Sequence, residues 1–371
     1  MSHVLVTGGA GFIGSHLVDR LLERGDRVRV LDSLDPQSHD GVLDYLSPEA
    51  ELVKGDVRDR ETVRQALEGV DRLVHFAAAV GVGQSMYEIV RYTSVNALGA
   101  AVVLEEALPA RDRLGKVVVA SSISIYGEGL YCCRREGMEV APPARSEDQL
   151  AARQWELRCL SCGEELRPAP TPETKTLAPT SIYAVGKRDH EEMFRVWGRA
   201  YRVPVTALRF FNVYGPRQSL SNPYTGVAAI FGSRLLNGRA PVVFEDGLQT
   251  RDFIHVSDVV RGVVQALEPD VAVDQALNIG TGQAVSVLAV AGALGRGLGV
   301  EVEPEIRGEY RAGDIRHCFA DISLARAELG FEPRMSFEKG MRELVDWLAE
   351  QEARDPVDDA TAALQERGLA R

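Results

Sequence analysis

The chain has no long hydrophobic run, no excess of positive charge and few cysteines. None of its apolar stretches approaches the ~20 residues that a membrane span requires. Lysine and arginine number 42 against 54 aspartates and glutamates, a net charge of −12, which argues against binding to nucleic acid or to an anionic membrane surface. The N-terminus runs straight into His3-Val-Leu-Val-Thr-Gly-Gly, without the basic, apolar and small-residue succession of a signal peptide. A cytoplasmic protein is the expectation. Five cysteines in such a setting do not read as a disulfide framework. Internal repeats and low-complexity segments are lacking as well. What remains is an ordinary globular composition, 45% hydrophobic and 26% charged over 371 residues, enough for one or two domains.

Short β-branched runs alternate with amphipathic stretches through the first half. Val4–Val6, Val28–Leu31, Leu52–Val53, Leu73–Phe76, Val117–Ala120 and Val205–Arg209 read as buried strands. Ile13–Arg24, Arg60–Leu67 and Asn96–Leu108 carry helical spacing. This alternation predicts an α/β fold, a Rossmann-type doubly wound parallel sheet, with a smaller C-terminal α/β substrate-binding domain. The division expected is 1–204 for the nucleotide domain, with an insert at about 129–168, then 205–350 for the interleaved substrate domain. Residues 351–371 follow as a helical tail. In the second half, helices are expected at Val227–Leu236, Val256–Leu267, Val287–Leu298 and across Met341–Leu369, loose after about 352. Extended pieces are expected at Val242–Phe244, Ala276–Ile279 and Val302–Ile306.

Gly8, Gly11 and Gly14 follow the first strand and open the first helix. Glycines there allow a tight turn and a close backbone approach to a pyrophosphate seated at the helix N-terminus. Asp32 ends the second strand, where a carboxylate accepts hydrogen bonds from ribose hydroxyls and repels a 2′-phosphate, favouring NAD over NADP. Asp56 follows the third strand, within reach of an adenine, and His75–Ala79 ends the fourth with small residues suited to close contact with a cofactor. Tyr183 and Lys187 are four apart and share a helix face. A phenol titrates near pH ~10; a neighbouring ammonium and an oxidised nicotinamide favour its ionised form. With the hydroxyl of Ser122, the pair is equipped to remove a proton from an alcohol as hydride leaves its carbon.

These motifs, together with Asn96, Ser121–Gly127, Leu208–Arg217, Thr250–Asp258, Asn278–Gly282 and Arg311–Asp314, resemble the extended short-chain dehydrogenase/reductases, in the NAD-dependent sugar epimerase/dehydratase family. The likeness runs from residue 4 to about 340. It implies Ser122, Tyr183 and Lys187 as the catalytic set. Cofactor contacts are expected from Gly8, Gly11, Phe12, Ile13, Gly14, Asp32, Asp56, Val57, Phe76, Ala77, Ala78, Asn96, Tyr183 and Lys187. Contacts to a nucleotide-diphosphate sugar are expected from Ser85, Ser122, Ser124, Asn212, Arg251 and Arg311. The resemblance also implies a homodimer through the helices at Tyr92–Leu108 and Tyr183–Tyr201.

Family members that dehydrate the sugar carry an acidic pair just after the catalytic serine or threonine. This chain has Ile123 and Ser124 there, and neither side chain is an acid. Redox at a single carbon remains, which predicts 4-epimerisation by transient oxidation. The stretch Ala79–Ser85 and the cysteine segment resemble a subgroup acting on dTDP-6-deoxyhexoses; UDP-hexose and UDP-hexuronate are alternatives. A dehydratase, a reductase or dehydrogenase with net turnover of the cofactor, and a non-enzymatic cofactor sensor are the rival readings.

Between Ser122 and Tyr183 the chain is longer than such a connection needs. Cys159-Leu-Ser-Cys162-Gly163 has the spacing of a zinc knuckle, and Cys132 and Cys133 lie upstream. A structural zinc ion on Cys132, Cys133, Cys159 and Cys162 is the expectation, although adjacent cysteines rarely both reach one metal. Free thiols or a disulfide are the alternatives.

Overall fold

The β-branched runs become the strands of one parallel sheet in this computed structural model, which describes residues 1–39, 44–300 and 302–371. Its strands are β1 (His3–Thr7), β2 (Arg27–Asp32), β3 (Glu51–Lys54), β4 (Arg72–His75), β5 (Lys116–Ser122), β6 (Val205–Phe210) and β7 (Gln275–Ile279). They lie in the order β7-β6-β5-β4-β1-β2-β3. Alternate residues of each strand enter opposite cores, as the pleat dictates. Val4, Val6, Val30, Val74 and Val118 face one side, where helix α1 (Phe12–Glu23) packs beside Val256–Ala266. Leu5, Leu31, Leu73, Val117 and Val119 face the other. There Arg60–Ala66, Gly99–Ala107 and the long helix α2 (Ile182–Tyr201) cover the sheet. Burial on both faces is what a parallel sheet requires. Strand order reverses beside β1, so a crevice opens at the carboxyl ends of β1 and β4.

Helix α2 forms because Ala184, Lys187, His190, Glu191, Phe194 and Trp197 recur at helical spacing on its buried face. Ser181 caps its start, Oγ accepting from the Ala184 amide at 3.1 Å, and Arg202 ends it in the left-handed region. A second core is built by Val227–Leu236, Val287–Leu298 and Phe337–Leu348 around Phe231, Leu294 and Leu344. The extended piece expected at Val302–Ile306 shortens to Glu305–Ile306, paired with Val242–Val243.

Two segments differ from expectation. The cysteine insert has a fold of its own: Leu130–Cys133 pairs on either side with Met138–Val140 and Arg167–Ala169, over a small core of Tyr131, Cys133, Leu157, Cys159 and Leu166. The C-terminal stretch is neither one helix nor loose after 352. The first helix ends at Leu348 and a second resumes at Val357–Glu366, anchored by Arg234 between Asp355 and Asp358. Leu364 is buried against Gly83, and Tyr310 and Arg371 exchange backbone hydrogen bonds at 2.8 and 3.0 Å. The apolar face of that helix has a partner that spacing along the chain does not reveal.

Candidate active site

The crevice at the strand ends is a cleft of about 670 Å³. Gly8 sits at its floor with φ +70°, where an added Cβ would lie 2.7 Å from the Ala77 amide. A Cβ on Gly14 would collide with the Gly8 carbonyl. Helix α1 begins at Gly11 with no side-chain cap and no acid in its first turn. Its leading amides therefore lack internal partners and suit an anion. Asp32 closes β2 at the rim, one carboxylate oxygen accepting from the Ala10 amide at 3.0 Å and the other from the Leu34 amide at 2.9 Å. The Asp56 carboxyl is held below its ordinary range, chiefly by the Arg58 guanidinium hydrogen-bonded to it. A glycine cradle at a bare helix N-terminus with a carboxylate one strand away fits a dinucleotide.

At the opposite end of the cleft stand Ser122, Ser124, Tyr183 and Lys187. Ser122 is the last residue of β5, and its Oγ accepts from the Ser124 amide at 3.1 Å and from the Ser124 hydroxyl at 2.9 Å. Burial raises the Tyr183 phenol, while a hydrogen bond with Ser122 pulls it back down. Lys187, 4% exposed, is lowered to about 7 by burial, with Glu191 opposing. Tyr183 and Lys187 occupy successive turns of α2, as the spacing predicts.

His190 is a residue that motif reading passed over. Its Nε2 lies 2.6 Å from the Asn96 carbonyl and its Nδ1 lies 3.4 Å from Lys187 Nζ. A carbonyl only accepts, so Nε2 carries the proton and Nδ1 is left to accept from the lysine. Asn96, in a π-helical turn at Ser94–Leu98, also bonds both backbone groups of Ala79, at 2.8 and 3.1 Å. The loop after β4 is thus tied through Asn96 and His190 to Lys187. Histidine three residues after the lysine, on the same helix face, was the available signal.

The cleft lining includes Gly8, Gly11, Phe12, Ile13, Gly14, Asp32, Asp56, Val57, Phe76, Ala77, Ala78, Ser122, Ser124, Tyr183, Lys187 and Asn212. It does not include Ser85, Asn96, Arg251 or Arg311. Ser85 is wholly buried; its Oγ accepts from the Tyr183 amide at 3.0 Å and donates to the Val82 carbonyl at 2.6 Å. Arg251 and Arg311 converge on Asp314, at 3.2 and 2.9 Å. Burial alone would raise the Asp314 carboxyl, but Arg311, Arg251 and Arg145 outweigh it and lower it. Beside them Arg316, fully buried, is met by Glu156, Glu245 and Asp246.

Of the four expected metal ligands, the structure brings together Cys133, Cys159 and Cys162, their sulfurs all within 4.8 Å. Cys132 is outside the group. Neighbours on a strand point to opposite faces, so Cys133 enters the small core and Cys132 does not. The Cys159 thiol is lowered, first by the Cys162 and Ser161 amides. The Glu164 amide pulls Cys162 down, but burial and the neighbouring sulfurs outweigh it and push it up to about 11.

A doubly wound sheet with a glycine-turn nucleotide cleft ending on a tyrosine, a lysine and a serine defines a nucleotide-dependent enzyme of the Rossmann type. The pattern of the NAD dependent epimerase/dehydratase family matches residues 4–148 and 159–280, and the chain belongs to that family. It is 36% identical to a dTDP-L-rhamnose 4-epimerase of Burkholderia thailandensis, over 94% of this chain and 95% of that one. A UDP-glucose 4-epimerase of Thermotoga maritima solved with UDP-glucose superposes with a TM-score of 0.76 at 30% identity, covering 94% and 99% of the two chains. A UDP-glucose 4-epimerase of Thermus thermophilus in complex with NAD does so at 0.74 and 31%, with the same coverage.

Proposed function

We propose that the chain is an NAD-dependent nucleotide-sugar 4-epimerase that oxidises C4 transiently and reduces it from the other face. The observation that carries this reading is the distribution of carboxylates. Those lining the cleft are Asp32, Asp35 and Asp56, all at the nucleotide end, beyond β2 and β3. Beside Ser122 and Tyr183 stand Ile123 and Ser124 instead. Loss of water from the sugar needs a group that protonates the leaving hydroxyl, and among the described residues the cleft offers no carboxylic acid there.

NAD bound in the cleft would supply the hydride acceptor and donor for C4. The chain's own residues handle the proton and the placement. Tyr183 takes the proton of the C4 hydroxyl while Ser122 shares its hydrogen bond, and Tyr183 gives it back when the carbonyl is reduced. Lys187 holds the nicotinamide ribose and favours the ionised phenol. Gly8, Gly11 and Gly14 admit the pyrophosphate, and Asp32 takes the ribose hydroxyls. Ala79, Val80 and Gly81 keep the wall beside the sugar small, leaving room for a keto sugar to turn over. Asn212, Ser124, Arg251 and Arg311 are assigned to the nucleotide sugar, whereas Ser85, wholly buried with its hydroxyl bonded to Tyr183 and Val82, holds the Tyr183 backbone instead. The two arginines act from the rim, once the Asp314 pairing gives way to a diphosphate.

A dTDP-6-deoxyhexose such as dTDP-L-rhamnose is the substrate we favour, supported by the end-to-end likeness to a rhamnose 4-epimerase. A zinc ion in the insert is supported by its three clustered thiols. Exposed apolar side chains at Val90, Leu98, Val185 and Val196, on or beside the helices that the resemblance implicates, support a homodimer. Among the described residues no helix is long and apolar enough to cross a membrane, in keeping with a cytoplasmic enzyme.

Incubation with UDP-, dTDP- and GDP-sugars, without added cofactor and followed by NMR, tests the reading. A mixture of C4 epimers of one sugar is expected. A free 4-keto-6-deoxy sugar as product would overturn it. Tyr183→Phe should lower kcat by about 10³ or more, and near-normal turnover would remove Tyr183 from its role.

A further inference from the structure

Two turns of one design face each other in the insert. In the first, the Gly137 amide donates to the Cys133 carbonyl at 2.9 Å; in the second, the Gly163 amide donates to the Cys159 carbonyl at 2.8 Å. Both glycines are left-handed, with φ +62° and +75°. Each turn starts on a buried cysteine and closes on glycine four residues later. The residue just before the glycine is Cys162 in the second turn and Glu136 in the first. Matching the turns pairs Cys133 with Cys159 and Glu136 with Cys162. Cys133 and Cys162 sulfurs lie 3.5 Å apart, close to the ~3.8 Å edge of a tetrahedron with Zn–S bonds of ~2.3 Å.

We propose that the insert is a zinc site of three thiolates and one carboxylate, with Cys133, Cys159 and Cys162 joined by Glu136. This rests on the zinc reading given above and supplies its fourth ligand. The Glu136 carboxylate lies outside the group of sulfurs and the residue is exposed, so it swings onto the ion from its turn. Sulfur ligands select against calcium and magnesium, whereas zinc takes thiolate and carboxylate together. Four protein ligands leave no open position, and the ion is structural. Between the turns, Glu156 reaches Arg316 Nε at 2.9 Å and His317 Nε2 at 3.0 Å. Drawing residues 133–162 together therefore braces the segment 314–317 that carries the arginine–carboxylate cluster.

The test uses the full chain purified with reductant and without chelator, its zinc measured by mass spectrometry and its affinity by competition with a zinc-binding dye. One equivalent is expected in the unaltered chain. Glu136→Ala should weaken zinc binding by at least about tenfold, Glu136→Cys should restore it, and Cys132→Ser should leave it unchanged. Glu136 is exposed, so its replacement spares the fold. Unchanged affinity in Glu136→Ala, with a full equivalent in the unaltered chain, overturns the fourth ligand and leaves the zinc reading standing. Less than about one-tenth equivalent in the unaltered chain overturns the zinc reading itself. A cobalt-substituted chain should give a tetrahedral spectrum with thiolate charge transfer.

Discussion

Lys187 is the residue whose surroundings depart furthest from what its motif suggests. A lysine drawn to about 7 by burial binds fewer protons folded than unfolded, between pH ~7 and the ordinary lysine value of ~10.4. Stability of the cofactor-free chain should therefore rise with pH through that window, at up to about 1.4 kcal/mol per unit from this group. Lys187→Met should flatten that slope, as read by chemical denaturation at several pH values; an unaltered slope would remove the lysine as its source. His190 positions the same side chain, so His190→Phe should lower the NAD content of the purified protein and shift the pH profile of kcat. Tyr183, Lys187 and Ser122 were legible because the first two need only a helical repeat and the third a strand end. His190 and Arg316 were not, because their partners Asn96 and Glu156 are 94 and 160 positions away.

Elements were read well where local spacing governs them. Val227–Leu236 and Val287–Leu298 fall where periodicity puts them, six central strands overlap the β-branched runs, and β7 overlaps the extended piece Ala276–Ile279. Spacing failed where packing decides. The adjacent Cys132 and Cys133 looked equivalent in the chain, and strand alternation separates them. The segment after about 352 read as loose because the partner of helix Val357–Glu366 is Gly83, far upstream. That contact reaches Tyr183: Leu364 packs on Gly83, in the short helix Val82–Ser85, and Ser85 holds the Tyr183 amide. Leu364→Ala should cost about 2–3 kcal/mol and lower kcat without altering the bound NAD, checked by denaturation and by cofactor content. Full activity in a stably folded variant would show that this helix does not support the site.

At the scale of the whole molecule, Val90, Leu98, Val185 and Val196 are exposed, and they are the residues the proposed homodimer would cover. Val196→Asp, 55% exposed in the chain alone, should convert a dimer to a monomer in light scattering; an unchanged mass would place the interface elsewhere. The general plan was readable because βαβ alternation constrains topology tightly, whereas the insert and the docked C-terminal helix obey no such rule.

The central sheet has a kinetic consequence. Strands β6 and β7 come late in the chain, yet β6 sits directly against β5 and β7 closes the edge. During synthesis β5 is complete at Ser122, but its neighbour does not exist until Phe210 has been added, and β6 waits again for Ile279. Every pairing is parallel and non-local, the kind that forms slowly. A nascent chain ending before β6 leaves Val118, Val119 and Ala120 on an open edge, the form of intermediate that sticks to its own kind. Refolding yield should therefore fall steeply with protein concentration, and expression should respond to chaperone supply more than to any substitution in the cleft.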